Sequence, residues 1–194
     1  TAGHVLEIQK QGYDAAIIGC FGDPGLDGFR ELADMLVIGP GEASFHAAAM
    51  LGHSFSIITV TASVIAATKK QVRNVGLGEK LASVRVVETP VLALAEDRNA
   101  TLSKLVAEGR QALEADGADT LVLGCMTMAF LGVAEELSAK LEVPVINPAR
   151  WSLKMTEALV SANYRHSKRA YITPPKLAQG LVADASGLQV SYPD

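Results

Sequence analysis

Hydrophobic and polar positions alternate along this chain in blocks rather than residue by residue. Short apolar runs rich in Val and Ile fall at 15–19, 35–38, 55–60, 84–87, 121–124 and 143–146. Within each run the apolar residues are continuous, which marks strands buried on both faces, as in parallel sheets covered by helices. The stretches between them carry a helical period. Val64, Ile65, Thr68 and Val72 fall on one side of 62–75, and Leu102, Leu105, Val106 and Leu113 fall together in 101–115. Further helices are predicted at 26–34, 42–51, 130–141 and 149–162. Strand–helix alternation of this kind predicts an α/β fold with mainly parallel sheets flanked by helices.

Laid over this pattern is an internal repeat. Gly12-Tyr13-Asp14-Ala15-Ala16-Ile17-Ile18-Gly19-Cys20 returns 105 residues later as Gly117-Ala118-Asp119-Thr120-Leu121-Val122-Leu123-Gly124-Cys125. Each copy is followed by a loop, a helical stretch and a second short strand, ending in Gly39-Pro40 and Asn147-Pro148. The repeat predicts two pseudo-symmetric lobes. The first would be 1–51 plus 148–194, and the second 52–147, with Gly52-His53-Ser54 as the crossing and Asn147-Pro148 as the return. Residues 2–11 read as the end of a helix and the chain opens on Thr1, so a start further upstream is expected.

Composition changes this picture little. The 194 residues are 49% hydrophobic and 20% charged, enough for a substantial core, with a net charge of −4. The one basic cluster, Arg165-His166-Ser167-Lys168-Arg169, is short and reads as a solvated face or loop rather than a nucleic-acid site. No apolar run approaches the roughly 18–20 residues that span a bilayer. Nothing resembles a dinucleotide or Walker-type phosphate loop, so no cofactor is called for, and metal-ligand spacing is absent. The expected partner is a small-molecule substrate, with neither nucleic acid nor membrane involved; a homo-oligomer is also expected.

Cys20 and Cys125 are the only cysteines, and without a secretory signal they point to a reducing, cytoplasmic setting where thiols stay free. Both stand at the carboxyl ends of predicted strands, where α/β sheets form their ligand crevices. Both also precede predicted helix starts, at Pro24-Gly25-Leu26 and Met128-Ala129-Phe130; a helix N-terminus favours a thiolate. Two thiols facing one another across a cleft form an acid and a base of matched chemistry. That suits removal of a proton from one face of a carbon and its return on the other. The competing reading is that each cysteine simply packs, as free cysteines often do. Among other polar residues, Glu42, Thr59 and Thr61 lie near strand ends where a substrate can be met, and Asp23 is placed to cap the helix that follows it.

The string Cys20-Phe21-Gly22-Asp23-Pro24-Gly25-Leu26 resembles the hydantoin/allantoin racemase branch of the aspartate/glutamate racemase superfamily. The resemblance continues through Arg30-Glu31-Leu32, Gly39 with Glu42-Ala43, His46-Ala47 and Phe55-Ser56-Ile57-Ile58-Thr59. It resumes at Gly117-Ala118-Asp119, Leu123-Gly124-Cys125 with Met128, and Val143-Pro144-Val145-Ile146, and so covers most of residues 10–160. It implies two α/β lobes and cofactor-independent, two-base catalysis by Cys20 and Cys125; Phe21, Gly22, Glu42, Thr59, Met126 and Thr127 are expected to meet the substrate from their places beside the cysteines and the strand ends. Amino-acid racemases of the superfamily follow their cysteines with Asn-Thr and Thr-His. Here Phe21-Gly22 and Met126-Thr127 stand instead, which disfavours a free amino acid.

The function expected from this reading is racemisation of a 5-substituted hydantoin or a related ureide such as allantoin. One alternative is a superfamily decarboxylase or cis–trans isomerase that uses a single cysteine. The other is a non-catalytic, two-lobed small-molecule binding protein. Exchange of a ligand hydrogen with solvent deuterium separates catalysis from binding, since binding alone exchanges nothing.

Overall fold

The computed structural model describes residues 2–175. It is α/β, with two parallel sheets and helices packed on them. By its contacts the chain divides into two compact units. The larger holds 19–23 and 39–154; the described part of the smaller holds 2–18, 24–38 and 155–175. The division differs from the expected lobe boundaries at three places. The helix at 40–51, the five residues around Cys20 and the first half of the last helix, 148–154, all group with the larger unit.

In the smaller unit, α1 (Ala2–Lys10), β1 (Ala15–Ile17), α2 (Leu26–Leu32) and β2 (Leu36–Ile38) follow one another, and β1 pairs with β2 in parallel register, Ala16 opposite Val37. Its core gathers Val5, Leu26, Ala33, Met35 and Val37. The basic cluster lies in a loop with Arg165, Ser167 and Arg169 exposed, while Lys168 and His166 are tied into this unit. The Lys168 ammonium donates to the last carbonyls of α2, those of Arg30 (3.0 Å), Glu31 (3.0 Å) and Ala33 (2.7 Å). The cation thereby satisfies the carbonyls that a helix end leaves without intrahelical partners. His166 Nε2 meets the Val37 N–H at 2.9 Å, so the outer side of β2 also has a polar partner.

The larger unit begins its regular structure with α3 (Pro40–Leu51), whose first position is a proline and whose buried Ala47 and Ala48 allow close packing on the sheet. The elements that follow are β3 (Phe55–Thr59), a 3₁₀ turn at Ala62–Val64, α4 (Ile65–Asn74), β4 (Leu81–Val86) and α5 (Arg98–Glu114). After them come β5 (Thr120–Leu123), α6 (Met126–Phe130), α7 (Ala134–Leu141), β6 (Val145–Ile146) and α8 (Pro148–Ser161), the last running on into the smaller unit. Strand order is β4-β3-β5-β6, all pairs parallel. The two central strands are buried along their whole length. Alternation sorts their side chains: Ile58, Leu121 and Leu123 enter one core, and Phe55, Ile57 and Val122 the other.

Three helices depart from the sequence reading, α4 among them, which starts at Ile65 behind the 3₁₀ turn rather than at 62. The helix predicted at 130–141 is two, α6 and α7, separated by the turn at Leu131-Gly132-Val133, and the first starts directly after Cys125. α5 starts three residues before its predicted position because the Asp97 side chain accepts from the Ala100 N–H at 2.8 Å and caps it there.

Candidate active site

Cys125 is delivered by the middle of the sheet. The strand ahead of it is fixed at its beginning by Asp119, whose carboxylate accepts from the backbone N–H groups of His53 (2.8 Å) and Ser54 (3.2 Å). Burial pushes the Asp119 carboxyl up, but these N–H groups and the Thr120 hydroxyl outweigh it and hold the group below the usual carboxylate range. At the other end the Gly124 N–H donates to the Ile58 carbonyl at 2.8 Å, which carries the pairing with β3 past the end of β5. A Cβ at Gly124 would stand 2.7 Å from Ile57 Cγ2 and 3.0 Å from the Ile58 oxygen, so only glycine lets the chain pass this close to β3. Cys125 follows, half-buried, in the position just before α6, its side chain making no capping hydrogen bond. The predicted helix start at Met128-Ala129-Phe130 is thus two residues too late.

Cys20 is exposed and sits in a turn closed by the Asp23 N–H donating to the Cys20 carbonyl at 3.1 Å. Three contacts tie this turn to the larger unit. The Phe21 ring is buried edge-on against Phe45, centroids 5.6 Å apart, and Phe45 in turn stacks on Phe55. The Asp23 carboxylate accepts from the N–H groups of Gly41 (3.0 Å) and Glu42 (2.7 Å) at the start of α3. Gln71 of α4 donates from one nitrogen to the Phe21 carbonyl (3.1 Å) and to Asp23 (2.9 Å). Asp23 therefore caps α3. The helix that follows it in sequence, α2, starts at Gly25 without a side-chain cap. Burial pushes the Asp23 carboxyl up to about 6; the N–H groups of Glu42 and Gly41 and the Gln71 amide oppose the shift, and the Glu42 charge adds to it.

The two cysteines, from opposite halves of the repeat, line one cavity of about 380 Å³ in the larger unit. Phe21, Gly22, Thr59, Met126 and Thr127 line it as well. Glu42 does not; it lies in the first turn of α3, where its N–H is held by Asp23. Residues that the sequence reading did not select complete the wall: Val60 after β3, and Val64, Ala67, Thr68 and Gln71. Ala67, Thr68 and Gln71 share one face of α4, beside the apolar side that its periodicity marks, and that periodicity carries no chemistry by itself. None of the described lining residues bears a charge. Both thiols are free. A larger groove, about 560 Å³, runs beside β6 and the start of α8 past Glu135 and Trp151 and contains neither cysteine.

Residues 1–156 match the Asp/Glu/Hydantoin racemase family. The chain is 39% identical over 155 residues to a hydantoin racemase of Paenarthrobacter aurescens, covering 80% of this chain and 65% of that protein. It is 35% identical over 178 residues to a hydantoin racemase of Pseudomonas sp. (strain NS671), covering 90% of this chain and 71% of that one. The chain thus spans just under two thirds of the first relative's length. Among solved structures it resembles an allantoin racemase from Klebsiella pneumoniae, with a TM-score of 0.84 at 34% identity over 90% of this chain and 71% of that one. The chain belongs to the Asp/Glu/Hydantoin racemase family, in its hydantoin and allantoin racemase branch.

Proposed function

We propose that the protein is a racemase of 5-substituted hydantoins, or of a related ureide such as allantoin, in which Cys20 and Cys125 exchange a proton with opposite faces of one carbon and no cofactor takes part. The observation that carries this reading is the meeting of the two repeat-related cysteines in one cavity without charged lining residues. A cavity of that size suits a small heterocycle. A lining without cations offers nothing to pair with the carboxylate of a free amino acid, whereas a hydantoin ring is neutral and presents amide groups to Thr59, Thr127 and the backbone. Phe21, Gly22 and Met126 complete the proposed substrate contacts, and Glu42 belongs to the frame behind them.

The chemistry follows from the acidity of the carbon between the ring carbonyl and the ring nitrogen. One cysteine, as thiolate, takes the proton from that carbon, and the electron pair moves into the carbonyl to give an enolate. Backbone N–H groups beside the cysteines, such as those opening α6, stabilise the enolate oxygen. The other cysteine, as thiol, delivers a proton to the opposite face. The product is the mirror image, and the two sulfurs have exchanged protonation states. The reading includes a reducing, cytoplasmic setting, which keeps two neighbouring thiols from oxidation, and a homo-oligomer.

The test is to replace each cysteine by serine. Cys20→Ser and Cys125→Ser should each lower racemisation by about 10²–10⁴-fold, the range of a positioned acid or base. Each variant should still exchange the C5 hydrogen of one enantiomer with solvent deuterium, and the two should choose opposite enantiomers. Near-normal racemisation in either variant, or exchange of the same enantiomer by both, would falsify the assignment.

A further inference from the structure

We propose that Gln71 and Asp23 are positioning residues for Cys20, forming a latch that holds the Cys20 turn at the wall of the cavity. The inference rests on the two-cysteine reading and goes beyond it. The two cysteines differ in what supports them. Cys125 is held by the sheet and by its own helix, but Cys20 is exposed on a turn with no strand pairing at its own position. Its placement in the larger unit depends on what grips the residues beside it.

The grip is specific and made from side chains. Gln71 spans the turn, with its amide nitrogen on the carbonyl of Phe21, the residue next to Cys20, and on the carboxylate of Asp23, three residues along. Asp23 passes the constraint to the first N–H groups of α3. Gly41 allows the three parts to close. A Cβ there would overlap the Phe21 carbonyl oxygen and stand 2.5 Å from Gln71 Nε2 and 2.9 Å from Asp23 Oδ2. So Gln71, Asp23 and Gly41 form one node, and the Phe21 carbonyl ties that node to the backbone beside the thiol. Proton transfer between a sulfur and a carbon depends steeply on their separation, and a displacement of about 1 Å can cost on the order of 100-fold.

The test compares Gln71→Met, which keeps the length of the side chain and loses both donor contacts, with the unaltered protein, using the two enantiomers of 5-isobutylhydantoin. Racemisation should fall by about 10–100-fold. Solvent-deuterium exchange should fall by a similar factor for the enantiomer whose exchange is lost in Cys20→Ser. For the other enantiomer it should stay within about twofold, because Cys125 keeps its own support. Iodoacetamide labelling followed by mass spectrometry should show a changed rate at Cys20 and an unchanged rate at Cys125. Gly41→Ala and Asp23→Asn should show the same asymmetry and keep the proposal testable should Gln71→Met fail to fold. Equal loss for both enantiomers, equal change at both thiols, or no change at all would overturn it. Failure of the two-cysteine reading would appear elsewhere, as near-normal racemisation in Cys20→Ser, while the labelling rates would still report whether Gln71 holds Cys20.

Discussion

The two Gly-Cys pairs are alike in sequence and unlike in support. Gly124-Cys125 leaves a central, fully buried strand, keeps a backbone bond to β3 and passes straight into a helix. Gly19-Cys20 leaves a half-buried strand of three residues and enters an exposed turn held by Phe21, Asp23 and Gln71. The repeat preserves the place of the thiol and the turn that begins each unit, where Gly12 and Gly117 both adopt the left-handed conformation. It does not preserve the means of holding the thiol. One cysteine is positioned by backbone geometry, which a side-chain substitution elsewhere barely reaches; the other is positioned by side chains, which can be removed singly.

The sharpest way to break this comparison is at Gly124. An alanine there must displace the Ile57 side chain and press on the Ile58 carbonyl, both part of a packed sheet. Overpacking of this kind costs about 1–3 kcal/mol, and for a protein of this size each kcal/mol lowers Tm by about 2–4 °C. Gly124→Ala should therefore lower Tm by several degrees and shift Cys125 with the strand, reducing racemisation in the same protein. Differential scanning calorimetry with a racemisation assay checks both. An unchanged Tm would mean that the sheet does not fix Cys125 as tightly as its contacts indicate.

Much of this frame is legible in the sequence because it comes from local pattern. The six strands overlap the apolar runs, with β2, β3 and β5 buried throughout and β1 and β4 only partly; β4 begins earlier than its run, at Leu81, where Ser83 meets Ser56 across the strand pair. The cysteines stand out because the repeat singles them out, and Phe21, Gly22, Met126 and Thr127, the residues directly after them, line the cavity with them. What is not legible is long-range pairing of polar side chains. Asp23 finds its N–H partners at Gly41 and Glu42 and its amide at Gln71, and no periodicity encodes such a meeting. The same limit applies to the backbone of Glu42, whose N–H meets Asp23 at the start of α3.

The acid response of the two sides should differ in sign. Burial pushes Asp23 up to about 6. Between the ordinary carboxylate range and that value the folded protein holds a proton that the unfolded chain has released. Stability from this group is thus fully present below about pH 4 and is lost as pH rises to about 6. A gap of about two pKa units corresponds to roughly 2–3 kcal/mol, an upper figure because the carboxyl is only partly buried. Asp119, which anchors the strand leading to Cys125, is held below the usual range, so its contribution is present above that range and is lost as pH falls through its lowered value. Urea denaturation at intervals from pH 4 to 7 should give a stability difference between Asp23→Asn and the unaltered protein that changes by on the order of 2 kcal/mol in favour of the variant as pH rises. A pH-independent difference would show that Asp23 titrates in the ordinary range. The comparison would then rest on geometry alone.

The smallest effect is expected at the glycine that corresponds to Gly124. A Cβ added at Gly19 meets nothing within 4 Å, and its backbone does not occupy the left-handed region that side chains avoid. Gly19→Ala therefore faces neither a clash nor a strained conformation. It also restricts the unfolded chain, which at compatible positions stabilises by about 0.4–1 kcal/mol. Tm should stay level or rise by a degree or two in the same calorimetric experiment that finds a loss of several degrees for Gly124→Ala. The pair makes a matched control: the same substitution, in the same dipeptide, one residue before each thiol. If Gly19→Ala destabilised the protein as much as Gly124→Ala, the Cys20 turn would be packed as tightly as the sheet. Its dependence on Gln71 and Asp23 would then be one contact among many, since a turn already confined by its backbone needs no side-chain latch to place its thiol.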